Sequence, residues 1–313
     1  MITQAFVLGA GLGTRLRPLT DELPKTLVPV FGKPLITFAL DHLLAAGVQS
    51  FVVNTHHLSE HFQAAFGSGA YRSHPLSLIH EPVLLETGGG IKNAEPLLTE
   101  PTFLLYSGDI LTDLPLAPLI EEHFRAGNEV TLALRSTGLG SQVAFREGRI
   151  LDIGGRDRPA GNYDYANVSV WNRSAFARFS LGKKISFIPM LVDWIREGGR
   201  VGGVVIEQGT WFNLRSAKDY LALHQTIANQ PWRPDYLWPN DWPIRIAPGA
   251  MVEPDAQVTG ASFVGTGCKV GAEALIRDSI IWPGAQIASC SRLERCIVRS
   301  QRRVEGKLTD AII

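Results

Sequence analysis

The sequence predicts an α/β domain with a mostly parallel sheet, followed by a short β-helix. In the first two-thirds of the 313 residues, apolar strand-like runs alternate with segments of helical spacing. This alternation favours a largely parallel sheet with helices on both faces. In the C-terminal part, aliphatic residues instead recur every six positions. That period is typical of a β-helix and of neither a heptad coil nor an alternating strand.

The apolar runs place the elements of the α/β part. The first helix ends at Gly47, a typical residue for a helix C-terminus. Because ligands bind outside the carboxyl ends of the strands in such sheets, the loops after the strands are the places to look for a site. The predicted strands are 5–8, 51–53, 76–79 and 103–106, and the predicted helices are 35–46, 58–66 and 91–98.

A proline- and tryptophan-rich stretch predicts a connector. Residues 231–243 hold four prolines and three tryptophans. Proline removes backbone donors and discourages regular structure, and tryptophan mainly supplies buried area. We therefore expect a stiff connector whose tryptophans pack onto a domain. The predicted division is an α/β domain at 1–230, a linker at 231–245 and a β-helix at 246–313.

The hexad repeat has an aliphatic position and, four residues later, a small one. Aliphatic residues stack inward in a β-helix, and small residues fill its corners. The phase slips once by one residue, and the length predicts fewer than four triangular coils. The aliphatic positions are Ile246, Val252, Val258, Val264, Val270, Ile276, Ile281, Ile287 and Leu293, and the small ones are Ala250, Ala256, Ser262, Cys268, Ala274, Ala285 and Ser291.

Composition and charge exclude several classes of protein. Hydrophobic residues make up 45% and charged residues 19%, which excludes a mainly disordered chain. The formal net charge is zero, so nothing supports a nucleic-acid or membrane-surface partner. Three cysteines without a CxxC motif suit reduced thiols in the cytoplasm. We expect no signal peptide and no membrane span, since neither a basic leader nor a long uncharged apolar stretch is visible.

A glycine-rich loop follows the first predicted strand. It reads LGAGLGTRLRPLT over residues 8–20, and Lys25 lies just behind it. Glycines let backbone N–H groups approach phosphate oxygens, and Arg15 and Lys25 supply positive charge. The spacing matches neither the P-loop nor the dinucleotide fingerprint. Taken alone, the glycines would also fit a tight turn.

The whole string resembles the signature of the sugar-1-phosphate nucleotidyltransferases, also called NDP-sugar pyrophosphorylases. Further segments match that family in order: Asn54 to His57, Glu86 to Ile91, and Ser107-Gly108-Asp109 at the end of a strand. The hexad region resembles the left-handed β-helix that many members carry. The resemblance thus implies a Rossmann-like nucleotidyltransferase domain with a left-handed β-helix after it.

The reaction that the resemblance implies joins an NTP to a sugar 1-phosphate and releases pyrophosphate. In it, the sugar phosphate attacks the α-phosphorus in line, without a covalent enzyme intermediate. Arg15 is expected to stabilise the leaving pyrophosphate and Lys25 to hold phosphates, chiefly that of the sugar. Asp109 is expected to bind Mg²⁺, although an aspartate at a strand end also fits a turn cap. The nucleotide-binding residues implied are Leu8, Gly9, Ala10, Gly11, Gly13, Thr14 and Gly88, the last through its backbone to the base.

The second metal position departs from the family pattern. Many members have Trp-x-Asp-x-Gly-Thr there, whereas this chain has Asn213 in place of the carboxylate, with Arg215-Ser216 after it. An amide oxygen can bind Mg²⁺ but brings no charge. Family members that are N-acetylglucosamine-1-phosphate uridylyltransferases also pair an aspartate with an asparagine. We therefore expect an active enzyme, with a non-catalytic regulatory homologue as the alternative.

The sugar side departs as well. The family often has Glu-Lys-Pro before a Gly-Ile-Tyr-like strand. Here Arg156 or Arg158 stands in for the lysine, with a solvated charge as the alternative reading of either. Asn167 lies near the usual glycine and would narrow the sugar pocket.

Other functions are less well supported. His57 and His61 lie four apart, but the sequence is not HExxH, so a zinc site is not expected. No histidine follows His224, which argues against a β-helix acyltransferase and for an oligomerisation or regulatory module. We expect a homo-oligomer that forms through the β-helix. The favoured reaction is guanylyl transfer to mannose 1-phosphate. Uridylyl or thymidylyl transfer, a sugar-nucleotide sensor and an assembly scaffold remain alternatives.

Overall fold

Two compact units make up the protein, and the chain enters the first of them twice. The computed structural model describes residues 1–140, 142–154, 161–230, 232–237 and 242–313. The first unit consists of residues 1–12 and 36–212, and the second of residues 13–35 and 213–313. The division into domains at 230 and 245 stays a prediction. No helix among the described residues is long and apolar enough to cross a membrane.

The first unit contains most of the helices and the large sheet. Its helices are α1 (Ile36–Ala45), α2 (Ser59–Phe66), α3 (Glu86–Ala94), α4 (Ala117–Arg125) and α5 (Phe187–Arg196), and α6 (Ala217–Asn229) belongs to the second unit. The strands up to residue 213 are β1 (Gln4–Leu8), β2 (Pro29–Val30), β3 (Lys33–Pro34), β4 (Ser50–Thr55), β5 (Ala70–Tyr71), β6 (His74–His80), β7 (Thr102–Ser107), β8 (Ile110–Thr112), β9 (Val130–Arg135), β10 (Val143–Arg146), β11 (Arg149–Ile153), β12 (Asp164–Asn172), β13 (Val201–Val205) and β14 (Trp211–Asn213).

The large sheet has the predicted parallel centre. Its strand order in the described part of the chain is β10-β11-β13-β9-β12-β7-β1-β4-β6-β5. Strands β7, β1, β4 and β6 run parallel, and β12 lies antiparallel between β7 and β9. The predicted strands fall within β1, β4, β6 and β7, and the first two predicted helices match α1 and α2. The α/β fold class is therefore confirmed.

The third predicted helix was placed wrongly. It was expected at 91–98, but α3 spans Glu86–Ala94 and includes three consecutive glycines. Glycine is a poor helix former in isolation. Here the three glycines are buried by close packing, and a Cβ on Gly89 would lie 2.3 Å from the carbonyl oxygen of Lys183. Tertiary packing thus overrides the local propensity.

The C-terminal strands form three parallel sheets, as in a triangular β-helix. Their orders are β15-β18-β21-β24, β16-β19-β22-β25 and β17-β20-β23. The hexad interpretation is confirmed, and the handedness stays a prediction. The strands are β15 (Met251–Val252), β16 (Gln257–Thr259), β17 (Phe263–Val264), β18 (Lys269–Val270), β19 (Leu275–Arg277), β20 (Ile280–Ile281), β21 (Gln286–Ile287), β22 (Arg292–Glu294), β23 (Ile297–Val298), β24 (Arg303–Val304) and β25 (Lys307–Thr309).

The phase slip of the repeat has a simple cause. Two residues, Asp278 and Ser279, connect β19 to β20, whereas the equivalent connection one coil earlier takes the three residues 260–262. The aliphatic position after Ile276 is therefore Ile281, and both are buried in the coil interior. The small corner residues from Ser262 onward are buried as well. Ile246, in the first coil, is 43% exposed.

Aromatic side chains fill the remaining core of the second unit. Phe31 stacks on His224 with 4.2 Å between ring centroids and meets Phe263 edge-on. Two tryptophans of the predicted connector are buried, as expected, and the Trp242 indole N–H donates to the Val30 carbonyl oxygen at 3.1 Å. Trp238 lies outside the described residues. Residues 13–35 are thus integrated with the C-terminal part of the chain.

Candidate active site

The carboxyl ends of β1 and β7 bring two of the predicted segments together. Leu8 pairs with Ser107 in parallel register, and the Gly108 N–H donates to the Leu8 carbonyl oxygen at 2.9 Å. The half-buried Asp109 follows in the turn before β8. The glycine-rich loop and Asp109 therefore lie at the same edge of the sheet, where α/β folds bind ligands.

In this loop the fold requires glycine at position 9 but not at position 11. The Gly9 N–H donates to Asn54 Oδ1 at 2.8 Å, and a Cβ on Gly9 would lie 2.6 Å from the Asn54 carbonyl oxygen. Gly9 is therefore needed for close packing, and its N–H is already engaged. Gly11 is exposed, and a Cβ there would meet nothing within 4 Å. Ala10 between them is buried.

The loop continues into the second unit, where it carries the two basic residues. Gly13 has a φ of 62°, and its carbonyl oxygen accepts a hydrogen bond from the Leu16 N–H at 2.8 Å. Thr14 and the exposed Arg15 lie in the short 3₁₀ turn that follows. Lys25 opens the third 3₁₀ turn of this segment and is buried. A Cβ on Gly13 would lie 2.9 Å from the Lys25 Cβ, so this turn requires glycine.

Gly88 lies in the first turn of α3 and is buried. Its N–H donates to the Ile185 carbonyl oxygen at 2.8 Å, and the Gly89 N–H donates to the same oxygen at 3.0 Å. A Cβ on Gly88 would lie 2.9 Å from that oxygen. The segment before α5 thus covers the start of α3. That Gly88 contacts a base stays a prediction, and its N–H is already donated within the protein.

Asn167 interrupts β12 close to the same sheet edge. Its φ of 63° is left-handed, and the register of β12 against β9 shifts between Tyr165 and Ser169. Val168, the next residue, pairs with Tyr106 of β7. Such bulges are frequent beside active sites because they redirect a side chain. Arg156 and Arg158, the other predicted sugar-side residues, lie outside the described part of the chain.

Comparison with known proteins identifies the family. The model of the nucleotidyl transferase family matches residues 4–142. A mannose-1-phosphate guanylyltransferase of Mycobacterium tuberculosis is 28% identical over 93% of this chain and 83% of its own length. These matches support the sugar-1-phosphate nucleotidyltransferase family. The resemblance seen in the sequence is confirmed, and the protein is an enzyme of this class.

Further relatives of this nucleotidyltransferase differ in extent. The catalytic subunit beta of mannose-1-phosphate guanylyltransferase from Danio rerio is 28% identical over 94% of the chain and 85% of its own length. An N-acetylmuramate alpha-1-phosphate uridylyltransferase of Neisseria meningitidis is 44% identical, but over 36% of the chain and 48% of its own length. The solved inositol-1-phosphate CTP transferase of T. maritima has a TM-score of 0.58 and 21% identity, covering 70% of this chain and 91% of that one. That likeness supports the fold.

The residues predicted to hold the metal of the nucleotidyltransferase have suitable chemistry. Asn213 Oδ1 is buried and has no hydrogen-bond partner among the described residues. A buried acceptor left in this state is costly unless a ligand binds it. Asp109 offers carboxylate oxygens, the other ligand type that Mg²⁺ prefers. The described residues contain no group of three or more His, Cys, Asp or Glu that could hold a metal.

A buried pair of polar residues at the site, Asn54 and Glu81, was not predicted from the sequence, although Asn54 lies in a family-like segment. Asn54 Nδ2 donates to Glu81 Oε1 at 2.7 Å, and the Leu85 N–H donates to Glu81 Oε2 at 2.9 Å. The two side chains are 2% and 0% exposed. The available signal was an acidic residue directly after an apolar strand, just before a glycine-rich segment. His56 contacts the Glu81 carbonyl oxygen through Nδ1 at 2.7 Å.

Buried polar groups also hold the neighbouring loops of the nucleotidyltransferase. Arg135 donates to the carbonyl oxygens of Glu207, Gln208 and Gly209, which lie just before β14. Burial lowers the pKa of Arg135, and the nearby Glu207 carboxylate opposes that shift. The Tyr165 hydroxyl lies 2.8 Å from Ser169 Oγ across the bulge, and burial raises the pKa of Tyr165. The Tyr165 hydroxyl therefore stays protonated at neutral pH.

Proposed function

We propose that the enzyme transfers a guanylyl group from GTP to mannose 1-phosphate, giving GDP-mannose and pyrophosphate. The observation that carries the choice is coverage combined with identity, since a UTP--glucose-1-phosphate uridylyltransferase of Synechocystis sp. also matches 93% of the chain but is 23% identical, against 28% for the guanylyltransferases. Two relatives with this activity in their names match 93% and 94% of the chain, including the C-terminal unit. The N-acetylmuramate alpha-1-phosphate uridylyltransferase of Neisseria meningitidis matches 36%.

In this proposal the glycine-rich loop and the two basic residues handle the phosphates. The triphosphate is wrapped by the predicted loop residues Leu8, Gly9, Ala10, Gly11, Gly13 and Thr14. Arg15 stabilises the charge on the departing pyrophosphate, and Lys25 holds the phosphate of the incoming sugar. Positioning and charge neutralisation supply most of the acceleration in such in-line transfers. Gly88 contacts the base, and Asn167 limits the sugar pocket.

The proposed metal is Mg²⁺, with Asp109 and Asn213 as its ligands. When bound, it neutralises the negative charge of the phosphates that meet during the transfer. The carboxylate of Asp109 supplies the charge that fixes the ion, and the amide oxygen of Asn213 adds a neutral ligand. We also propose that the enzyme acts in the cytoplasm as a homo-oligomer formed through the β-helix. Multi-angle light scattering of the whole chain tests the oligomer.

A second candidate reaction is uridylyl transfer to N-acetylmuramate 1-phosphate. Its support is the higher local identity, which is 44% over 112 residues for the Neisseria meningitidis relative and 48% over 107 residues for that of Caulobacter vibrioides. The shorter coverage argues against it, because each match spans about a third of the chain.

Pyrophosphate release across a grid of substrates tests both candidates. GTP, UTP, dTTP, CTP and ATP are paired with several sugar 1-phosphates in the presence of Mg²⁺. We expect release from GTP with mannose 1-phosphate, lost in Asp109→Ala and kept in Asp193→Ala, which removes an exposed carboxylate of α5. Release from UTP with N-acetylmuramate 1-phosphate alone would favour the second candidate. Silence with every pair, despite nucleotide binding, would indicate a non-catalytic homologue.

A further inference from the structure

A chain of three hydrogen bonds crosses the interior of the first unit behind the glycine-rich loop. It runs from the Gly9 N–H to Asn54 Oδ1 (2.8 Å), from Asn54 Nδ2 to Glu81 Oε1 (2.7 Å), and from the Leu85 N–H to Glu81 Oε2 (2.9 Å). Glu81 is fully buried and Asn54 nearly so. Each oxygen of the Glu81 carboxylate accepts a hydrogen bond from the protein. Asn54 and Glu81 are therefore both held by hydrogen bonds within the first unit.

Both glycine-rich segments of the sequence converge on this pair. A Cβ on Gly9 would lie 2.6 Å from the Asn54 carbonyl oxygen. A Cβ on Gly90 would lie 2.8 Å from Glu81 Oε1 and 2.9 Å from Asn54 Nδ2. The loop after β1 and helix α3 therefore lie directly against Asn54 and Glu81, and both approaches require a residue without a side chain.

The two ends of this series of hydrogen bonds limit which pairs of residues can stand at positions 54 and 81. Gly9 and Leu85 both present backbone N–H donors, so the side-chain pair must offer an acceptor at each end. Between those ends it must match one donor with one acceptor. Asn54 with Glu81 meets this condition, and Asp with Gln would meet it equally, whereas Asp with Glu or Asn with Gln would not. Buried donors and acceptors left unmatched are costly.

We propose that Asn54 and Glu81 are positioning residues that hold the glycine-rich loop and the start of α3 in the conformation that binds the NTP. Both side chains are buried. We therefore expect them to act through the backbone N–H groups of Gly9 and of Leu85, the residue before α3. The inference rests on the proposed function for the identity of the NTP. The property that matters is the direction of the hydrogen bonds. The side-chain pair must accept at both ends, from the Gly9 N–H and from the Leu85 N–H.

The test exchanges donor and acceptor in the whole protein. Asn54→Asp and Glu81→Gln are made singly and together, with Glu121→Gln, an exposed residue of α4, as the control. The readouts are KM and kcat for GTP, KM for mannose 1-phosphate, and the Kd for GTP by calorimetry. Each single variant should raise KM and Kd for GTP at least about tenfold, the effect of one buried unmatched group. The KM for mannose 1-phosphate should change less than about twofold.

Recovery in the double variant decides the question. The introduced aspartate would then accept from the Gly9 N–H and from the side-chain amide of the introduced glutamine. The amide oxygen of that glutamine would accept from the Leu85 N–H. The Kd for GTP should return to within about threefold of the parent value. Single variants that bind GTP like the parent would overturn the inference. So would a double variant that melts like the parent yet stays as weak as the singles.

The outcome is separable from that of the proposed function. If the parent enzyme releases pyrophosphate from another pair, the proposed substrate is wrong, and the same comparison is made with the nucleotide of that pair. If it releases none but binds GTP or UTP, the Kd values for that nucleotide alone decide the inference. A parent protein that binds no nucleotide would overturn both.

Discussion

Arg299, just after β23, forms an ion pair with Glu22, with 3.1 Å between Arg299 Nη1 and Glu22 Oε1. The Ser300 N–H donates to the other oxygen of the same carboxylate at 3.2 Å. The two side chains are 17% and 24% exposed, so solvent screens the pair only in part. Glu22 belongs to the segment that carries Arg15 and Lys25. The β-helix therefore supports the basic residues of the proposed site.

Removal of this ion pair should affect both stability and turnover. Arg299→Ala should lower the free energy of unfolding by about 1–2 kcal/mol, between the values for exposed and buried pairs. It should also lower kcat/KM by about three- to tenfold, because displaced phosphate-binding groups slow the transfer. Urea unfolding and pyrophosphate release measure the two effects. Arg302→Ala removes an exposed arginine nearby and should change neither.

Replacement by alanine should destabilise the protein at Gly9 but not at Gly11. Gly9→Ala places a Cβ 2.6 Å from a backbone oxygen, and backbone moves only at a cost. We expect a loss of about 1–3 kcal/mol in the free energy of unfolding, as for other overpacked sites. Gly11→Ala meets nothing within 4 Å and should unfold like the parent.

Gly11→Ala therefore tests binding of the GTP phosphates without a change in stability. With the fold unchanged, a KM for GTP raised about fivefold or more would indicate a close approach of Gly11 to the triphosphate. Thermal melting and steady-state kinetics are measured on both variants. A parent-like KM in Gly11→Ala would remove that residue from the proposed phosphate loop.

Conversion of the unusual amide to a carboxylate tests the metal. Asn213→Asp restores a charged ligand at an oxygen that has no partner among the described residues. The Mg²⁺ concentration for half-maximal activity should therefore fall by at least about fivefold, because a pair of unit charges about 4 Å apart is worth about 1 kcal/mol even in bulk water. Titration of Mg²⁺ in the pyrophosphate assay measures it. Asn229→Asp, at the exposed end of α6, is the matched control and should leave the titration unchanged.

The buried histidine of the second unit should make the protein acid-sensitive. Burial lowers the pKa of His224 to about 3, from an ordinary value of 6.5. Between these two values the unfolded state binds a proton that the folded state does not. The contribution of His224 to the free energy of unfolding is therefore complete above pH 6.5. It is lost as the pH falls, by up to about 1.4 kcal/mol per pH unit for one such group.

His224→Phe should flatten this acid limb, since phenylalanine can stack on Phe31 without titrating. Urea unfolding from about pH 7 to about pH 5 measures the slope for the parent and the variant. His42, whose pKa burial lowers to about 4, keeps part of the dependence in the variant. His80→Phe replaces an exposed ring and should leave the slope as it is. An equal slope in His224→Phe and the parent would contradict the prediction.

Most of the confirmed predictions came from periodic patterns of hydrophobic residues. The strands at the sheet centre and the hexads of the β-helix are visible because side chains must alternate or repeat to reach a core. Even the phase slip was visible, at Ile281. The start of α3 was not, because its glycines disfavour a helix locally. Gly88 and Gly89 are explained by the backbone at Ile185 and Lys183, and Gly90 by the side chains of Asn54 and Glu81.

Long-range relationships could not be predicted from one sequence. Nothing in residues 13–35 indicates that they belong with the C-terminal unit. Asn54 was noticed as part of a family-like segment, but its pairing with Glu81 depends on the parallel register of β4 and β6. That register places residues 27 positions apart within hydrogen-bond distance. The predicted roles of Arg15, Lys25, Asp109 and Asn167 stay predictions until the variants are assayed.

The placement of residues 13–35 has a consequence for biosynthesis. Glu22 and its partner Ser300 are 278 residues apart in the chain. A ribosome that adds about 5–20 residues per second needs on the order of tens of seconds to cover that distance. During this time the segment has left the exit tunnel without the coils that will cover its apolar face. The nascent polypeptide thus exposes Phe31 until α6 and the first coil, which carry its ring partners His224 and Phe263, have been made. A chaperone would be of most use during that interval.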